Sequence, residues 1–268
     1  MSQTHTTLLI IDPQNDFVDP YGSLSVKGAH QDAERLVQLI DQLGSQINSI
    51  SLSLDSHQRY DISHPLWFFN EHGDQPAPFT IITEADLLEK RWFTRPEVEA
   101  RTQNYLRILA KQGRYPHVIW PEHCVYGSVG HAIYPIIQEA LHNWSARPTR
   151  IDYIHKGHNP FTEHFSAVEA EVIDPNDPNT QLNRPLINRL SKSDQVWVAG
   201  WARSHCVGNT LKDLFKWGGK SLAQKTVIIT DTMSDVQGFE SQGEAVIKES
   251  LDLGARLADV DQLIKTSA

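Results

Sequence analysis

The sequence predicts an α/β protein with a mostly parallel six-stranded sheet and helices on both faces. Two observations carry that prediction. Short apolar runs alternate with segments of helical periodicity along most of the 268 residues, the pattern of strands joined by right-handed crossovers. Residues able to do chemistry also stand where these runs end, and such sheets place their sites beyond the carboxyl ends of their strands.

Taken in order, "TTLLIID" (6–12) reads as a buried first strand. Leu36, Ile40, Leu43, Ile47 and Ile50 then recur at helical spacing, and "SISLSLD" (49–55) alternates as a strand does. "RIDYIHKG" (150–157) and "DQVWVAGW" (194–201) are further strands, with Val207, Leu211 and Leu214 marking a helix after the second. "KTVIITDT" (225–232) is another buried run, followed by a helix over about 240–253 and a short last strand near 255–258. A helix is predicted over 96–112, with Pro96 suited to its first turn. "DPNDPNTQLNRP" (174–185) reads as a surface loop leading into a short helix. Residues 1–268 are expected to form a single domain carrying an insertion at about 58–116, between strands 2 and 3. That aromatic, proline-punctuated stretch is expected to pack over the strand ends, as a lid or as a contact between copies in a homo-oligomer.

A hydrophobic fraction of 40% and a charged fraction of 21% suit a globular core. The net charge of -9, with no long basic run, argues against nucleic acid or anionic membrane as partner. No apolar stretch approaches the ~18 residues of a membrane span, and "MSQTHTT" lacks a signal-peptide core. A reducing, cytoplasmic setting is therefore expected. Two cysteines, Cys124 and Cys206, do not make a disulfide scaffold.

Cys206 follows a glycine-containing turn at the start of a helix, where unpaired amides acidify a thiol and can hold an oxyanion. A buried cysteine at such a junction is more often simply small and apolar. Lys156 ends a buried strand and needs a carboxylate there, unless it snorkels to solvent. If the sheet carries it beside Asp12 and Cys206, an Asp–Lys–Cys trio results. In "DSH", Asp55 and His57 point the same way in an extended segment and could share a divalent metal, with His64 or His123 as a third ligand. Phe17 and Trp120 flank these polar positions and could hold a flat ring by stacking.

Four separated stretches occur in order: "IIDPQNDF" with "GSLSVKGA", "DSH" followed by "WPEHCVYG", "HKG", and "VAGWARSHCV". Together they resemble the nicotinamidase group of the isochorismatase-like cysteine hydrolases, over most of the chain outside the insertion. The resemblance implies a three-layer sandwich and hydrolysis of a small carboxamide, nicotinamide first, to the acid and ammonia through a cysteine thioester, as in NAD salvage. It implies Asp12 as general base and acid, Lys156 as electrostatic partner and Cys206 as nucleophile. The amides of Ala202 and Cys206 would form the oxyanion hole, after a cis peptide between Trp201 and Ala202. Phe17 and Trp120 would sandwich the ring, with Trp201 also in the substrate site. Asp55, His57 and His123 would hold a divalent metal, zinc first, with iron or manganese as alternatives; His64 would neighbour it. Cys124 reads as structural. Arg203, Ser204 and His205 replace the Thr, acidic residue and Tyr common before the nucleophile, which motivates a reading with a different amide as substrate. A third reading is an inert metal-binding scaffold.

Overall fold

The computed structural model describes residues 4–113 and 115–267. In chain order its principal elements are β1 (Thr6–Ile11), α1 (Asn15–Val18), α2 (Ala29–Leu43), β2 (Ile47–Asp55), β3 (Ile81–Ile82), α3 (Glu84–Leu88), α4 (Pro96–Gln112), β4 (His117–Val118), α5 (Pro135–Trp144) and β5 (Ile151–Lys156). They continue as α6 (Arg184–Lys192), β6 (Gln195–Gly200), α7 (Gly208–Lys225), β7 (Thr226–Ile229), α8 (Glu240–Asp252), β8 (Arg256–Ala258) and α9 (Val260–Ser267). Six strands form one sheet in the order β5-β2-β1-β6-β7-β8, and every pairing within it is parallel.

The period-two alternation of β1 explains the layering. Leu8 and Ile10 enter one apolar core, and Leu9 and Ile11 enter the other. The first core lies under α2, which packs against α5 and α9. The second lies under α7, which packs against α6 and α8. A strand buried on both faces is apolar throughout, as β1 is. The chain winds outward from β1 to β2 and β5, then returns to the opposite side of β1 as β6. The crevice beyond the ends of β1 and β6 is therefore the topological switch point, where ligands bind in open α/β sheets. Gly200 ends β6 with φ of 121°, and a Cβ there would lie 2.1 Å from the Ile11 carbonyl oxygen. Only glycine lets the two strand ends approach so closely.

Residues 58–116 carry β3, α3 and α4, and β3 pairs antiparallel with β4 just beyond. They have a core of their own, in which Ile62, Trp67, Phe68, Ile82, Tyr105, Leu106 and Leu109 are buried together. Helix α4 has the bounds that its proline start predicts, and Gly113 caps it in the left-handed conformation. The run 225–232 is shorter as a strand than its apolar pattern suggests: after Ile229 the chain turns through a 3-10 segment, Thr230–Thr232. No helix among the described residues is long and apolar enough to cross a membrane.

Candidate active site

Asp12 follows β1 with a φ of 48°, an uncommon backbone conformation for a non-glycine residue. Its amide donates to the Ser53 carbonyl at 3.1 Å, and the Ser53 hydroxyl donates to Asp12 Oδ1 at 2.6 Å. Those contacts leave Asp12 Oδ2 facing Lys156 Nζ at 2.8 Å. The same ammonium lies 3.0 Å from Asp55 Oδ1 and donates to Cys206 Sγ at 3.5 Å. The sulfur and one oxygen each of Asp12 and Asp55 lie within 4.8 Å of one another. The sheet thus brings the ends of β1, β2 and β5 and the turn after β6 to one point. Lys156 is fully buried and compensated by two carboxylates.

Electrostatics follows from that packing. Burial opposes the charge on Lys156, but Asp12 and Asp55 outweigh it and hold its pKa well above the ordinary lysine range. Burial raises Asp12, with Lys156 acting against it. Burial also drives the Cys206 thiol well above its usual range, and Lys156 offsets only part of this. The helix start that suggested an acidified thiol is outweighed by desolvation, so Cys206 rests as the protonated thiol. Cys206 sits in a π-helical turn, Arg203–Val207, ahead of α7. The Trp201–Ala202 peptide is cis. The amides of His205 and Val207 both donate to the Ala202 carbonyl, and Ala202 and Cys206 reach the cavity wall.

Beside the trio lies a histidine cluster. His57 Nε2 is 3.2 Å and His123 Nε2 is 3.4 Å from Asp55 Oδ2. His64 joins them, its Nε2 3.3 Å from His123 Nδ1, and its ring centre lies 4.9 Å from that of His57. His123 Nδ1 donates to the Pro121 carbonyl at 2.8 Å, which turns Nε2 toward Asp55. His57 Nδ1 faces Asp61 Oδ2 at 3.1 Å. Burial disfavours charge on His57, but Asp55 and Asp61 carry its pKa well above the imidazole range. Burial and the neighbouring His123 push His64 down to about 2. His64 Nδ1 is buried without a hydrogen bond. One carboxylate with three neighbouring imidazoles, one of them holding an orphaned nitrogen, fits a divalent metal.

The cavity wall differs in part from the sequence reading. Phe17, Trp120, Ala202 and Cys206 line one cavity with Leu24, Val26, Asp55, His123, Glu163, Phe165, His205 and Val236. Trp201 does not. Its indole is buried in the first core and donates to Asp32 Oδ2 at 3.0 Å. A residue beside a reacting cysteine in sequence can point to the opposite side of its strand end. Cys124, fully buried, donates its amide to Asp16 Oδ2 at 2.7 Å, and burial raises its thiol well above the usual range. Gln14 is a residue that sequence reasoning missed. Its side chain donates to the Asp55 carbonyl and accepts from the Asp55 amide, both at 2.7 Å, and donates to the His131 carbonyl at 3.0 Å.

The chain is 28% identical over 213 residues to a nicotinamidase of Acinetobacter baylyi, covering 79% of this chain and 75% of that one. A nicotinamidase of Escherichia coli is 26% identical over 225 residues, 84% of this chain and 80% of that one. The chain is a relative of the nicotinamidases. No family model matches it. Among solved structures, an Acinetobacter baumanii nicotinamidase superposes with a TM-score of 0.66 at 21% identity, over 98% of this chain and all of that one. A nicotinate complex from L. infantum gives 0.61 at 21% identity, over 98% of this chain and 96% of that one. A zinc complex of the Pyrococcus horikoshii pyrazinamidase gives 0.56 at 17% identity, over 95% and 99%. This nicotinamidase relative therefore shares their six-stranded, helix-covered fold.

Proposed function

We propose that the protein is a cysteine amidohydrolase that converts nicotinamide to nicotinic acid and ammonia. The observation that carries this reading is the single ammonium of Lys156 held between Asp12, Asp55 and Cys206, opening on an aromatic-walled cavity. The Escherichia coli and Acinetobacter baylyi relatives are nicotinamidases, which favours nicotinamide over other amides.

The ring enters between Phe17 and Trp120, and its carboxamide reaches Cys206. Asp12, with a carboxylate oxygen within 4.8 Å of the sulfur, takes the sulfur-borne proton as the carbon–sulfur bond forms. Lys156 holds Asp12 in place and balances the charge it carries in each state. The amides of Ala202 and Cys206 hold the oxyanion. As the carbon–nitrogen bond breaks, Asp12 returns the proton to the leaving nitrogen, and ammonia departs from a thioester. Water then adds to the thioester while Asp12 accepts its proton. The carbon–sulfur bond breaks, nicotinic acid forms, and Cys206 is reprotonated.

Asp55, His57 and His123, with His64 beside them, would hold a divalent cation. Zinc is the proposed ion, consistent with the zinc complex of the Pyrococcus horikoshii relative. Its chemistry when bound is Lewis-acid positioning of the ring nitrogen. In the segment 58–116, Tyr115 packs on the turn that carries Cys206: it stacks on His205 at 5.3 Å and donates its hydroxyl to the Ser204 carbonyl. The test is an ammonia-release assay over a panel of small amides on metal-analysed protein. Nicotinamide as the best substrate supports the reading. Clear preference for another amide rejects nicotinamide while keeping the hydrolase chemistry.

A further inference from the structure

Glu163 takes no part in the mechanism above, yet its carboxyl group is buried on the cavity wall. It is 6% exposed and shares the wall with Asp55 and His123. One carboxyl oxygen, Oε1, accepts from the His164 amide at 3.2 Å. The other, Oε2, is buried and takes no hydrogen bond. Its backbone is well anchored: the Glu163 carbonyl accepts from the Glu171 amide at 2.9 Å and from the Thr162 hydroxyl at 3.2 Å. The side chain is thus held against the cavity with one oxygen unsatisfied. Leaving a buried polar atom unsatisfied is costly, so a native protein keeps such a group where something else satisfies it.

The surroundings narrow what that is. Six cavity-wall residues, Phe17, Leu24, Val26, Trp120, Phe165 and Val236, present apolar surface. The polar side chains there, apart from the Cys206 thiol, are Asp55, His123, Glu163 and His205, and the Trp120 indole adds an N–H that is also buried without a partner. Burial raises the Glu163 carboxyl to about 8, with His57 acting against it. The cavity holds about 30 Å³, room for a water molecule, which needs roughly 10–15 Å³ and two to four polar partners.

We infer that Glu163 is a positioning residue of the metal centre, its Oε2 hydrogen-bonded to an ordered water beside Asp55 and His123. This rests on the reading that Asp55, His57 and His123 hold a divalent cation. Through that water Glu163 steadies the ligand set. Outer partners of this kind typically change metal affinity by about 10–100-fold.

The experiment uses the full chain and zinc alone. Zinc affinity is measured by competition with a chromogenic chelator, and melting is followed on the metal-free protein, for wild type, Glu163→Gln and Glu163→Met. Expected is an affinity loss of about 10–100-fold for Glu163→Met, with Glu163→Gln, which keeps an acceptor oxygen, in between. The metal-free Glu163→Met protein should melt no lower than wild type, because it has lost an unsatisfied oxygen. A residue that merely supports the fold gives the opposite pairing, with a lower melting temperature and unchanged zinc affinity, and that result overturns the inference. Equal zinc affinity in wild type and Glu163→Met also overturns it while leaving the metal reading intact. A folded wild type that binds no zinc overturns both.

Discussion

Lys156 Nζ lies 3.0 Å from Asp55 Oδ1, while the other oxygen of the same carboxylate faces His57 and His123. One carboxylate therefore joins the nucleophile's surroundings to the histidine cluster. Burial opposes its charge, yet His57 and Lys156 hold Asp55 well below the usual carboxylate range. Replacing Lys156 with Met leaves two buried carboxylates facing each other. The expected cost is about 3–5 kcal/mol of stability, read from chemical denaturation, together with loss of ammonia release. Adding Asp12→Asn should recover part of that stability and none of the activity.

Cys206→Ala should lower ammonia release from nicotinamide by roughly 1,000-fold or more with the fold intact. Intact-protein mass spectrometry of rapidly quenched wild type should show an acyl adduct that the variant lacks. A variant that releases ammonia at the parental rate would sink the thioester route.

Phe17→Ala and Trp120→Ala should each raise KM, since both line the cavity. Trp201→Phe should leave KM unchanged. It removes the hydrogen bond to Asp32 and should cost about 1.5–3 kcal/mol of stability. Steady-state kinetics beside denaturant melts separate the two classes.

His64→Ala should lower the metal content of purified protein, measured by elemental analysis, because its ring packs directly on His123 and His57. Full wild-type stoichiometry and affinity in that variant would place His64 outside the ligand set.

Acid should weaken the fold in a defined window. Burial holds His117 and His205 neutral in the folded protein down to about 4. In the unfolded chain they take up protons near 6.5. The unfolded state therefore binds more protons between these values, and stability is lost as pH falls from about 6.5 towards 4. Each group contributes a slope of up to about 1.4 kcal/mol per pH unit. Denaturation of His117→Phe across that range should show a shallower slope than wild type.

Much of this arrangement is legible in the sequence because it sits at strand ends. An apolar run that stops at Asp12, Asp55 or Lys156 fixes both the strand and the position of the side chain beyond it. Helix α4 announces itself by Pro96 and Gly113. What the sequence hides depends on contacts made across long separations. Glu163 and Gln14 are ordinary polar residues in loop-like text, and only packing shows that each is buried beside Asp55. Trp201 misleads because a residue next to the cis peptide faces the core and not the cavity. The thiol misleads because helix position is visible in a sequence, whereas desolvation is not.

The Gln14 side chain makes a two-point bond to the backbone of Asp55 and a third bond to the loop at His131. Three chain segments are thereby riveted at one amide. The spacing between the acid that moves protons and the carboxylate that faces the imidazoles is set by backbone, not by side-chain rotamers. Substitutions in the aromatic wall can reshape the pocket for another amide without altering that spacing. A change at Gln14 would instead let both halves of the site drift at once, although Gln14 itself touches neither the sulfur nor the histidines.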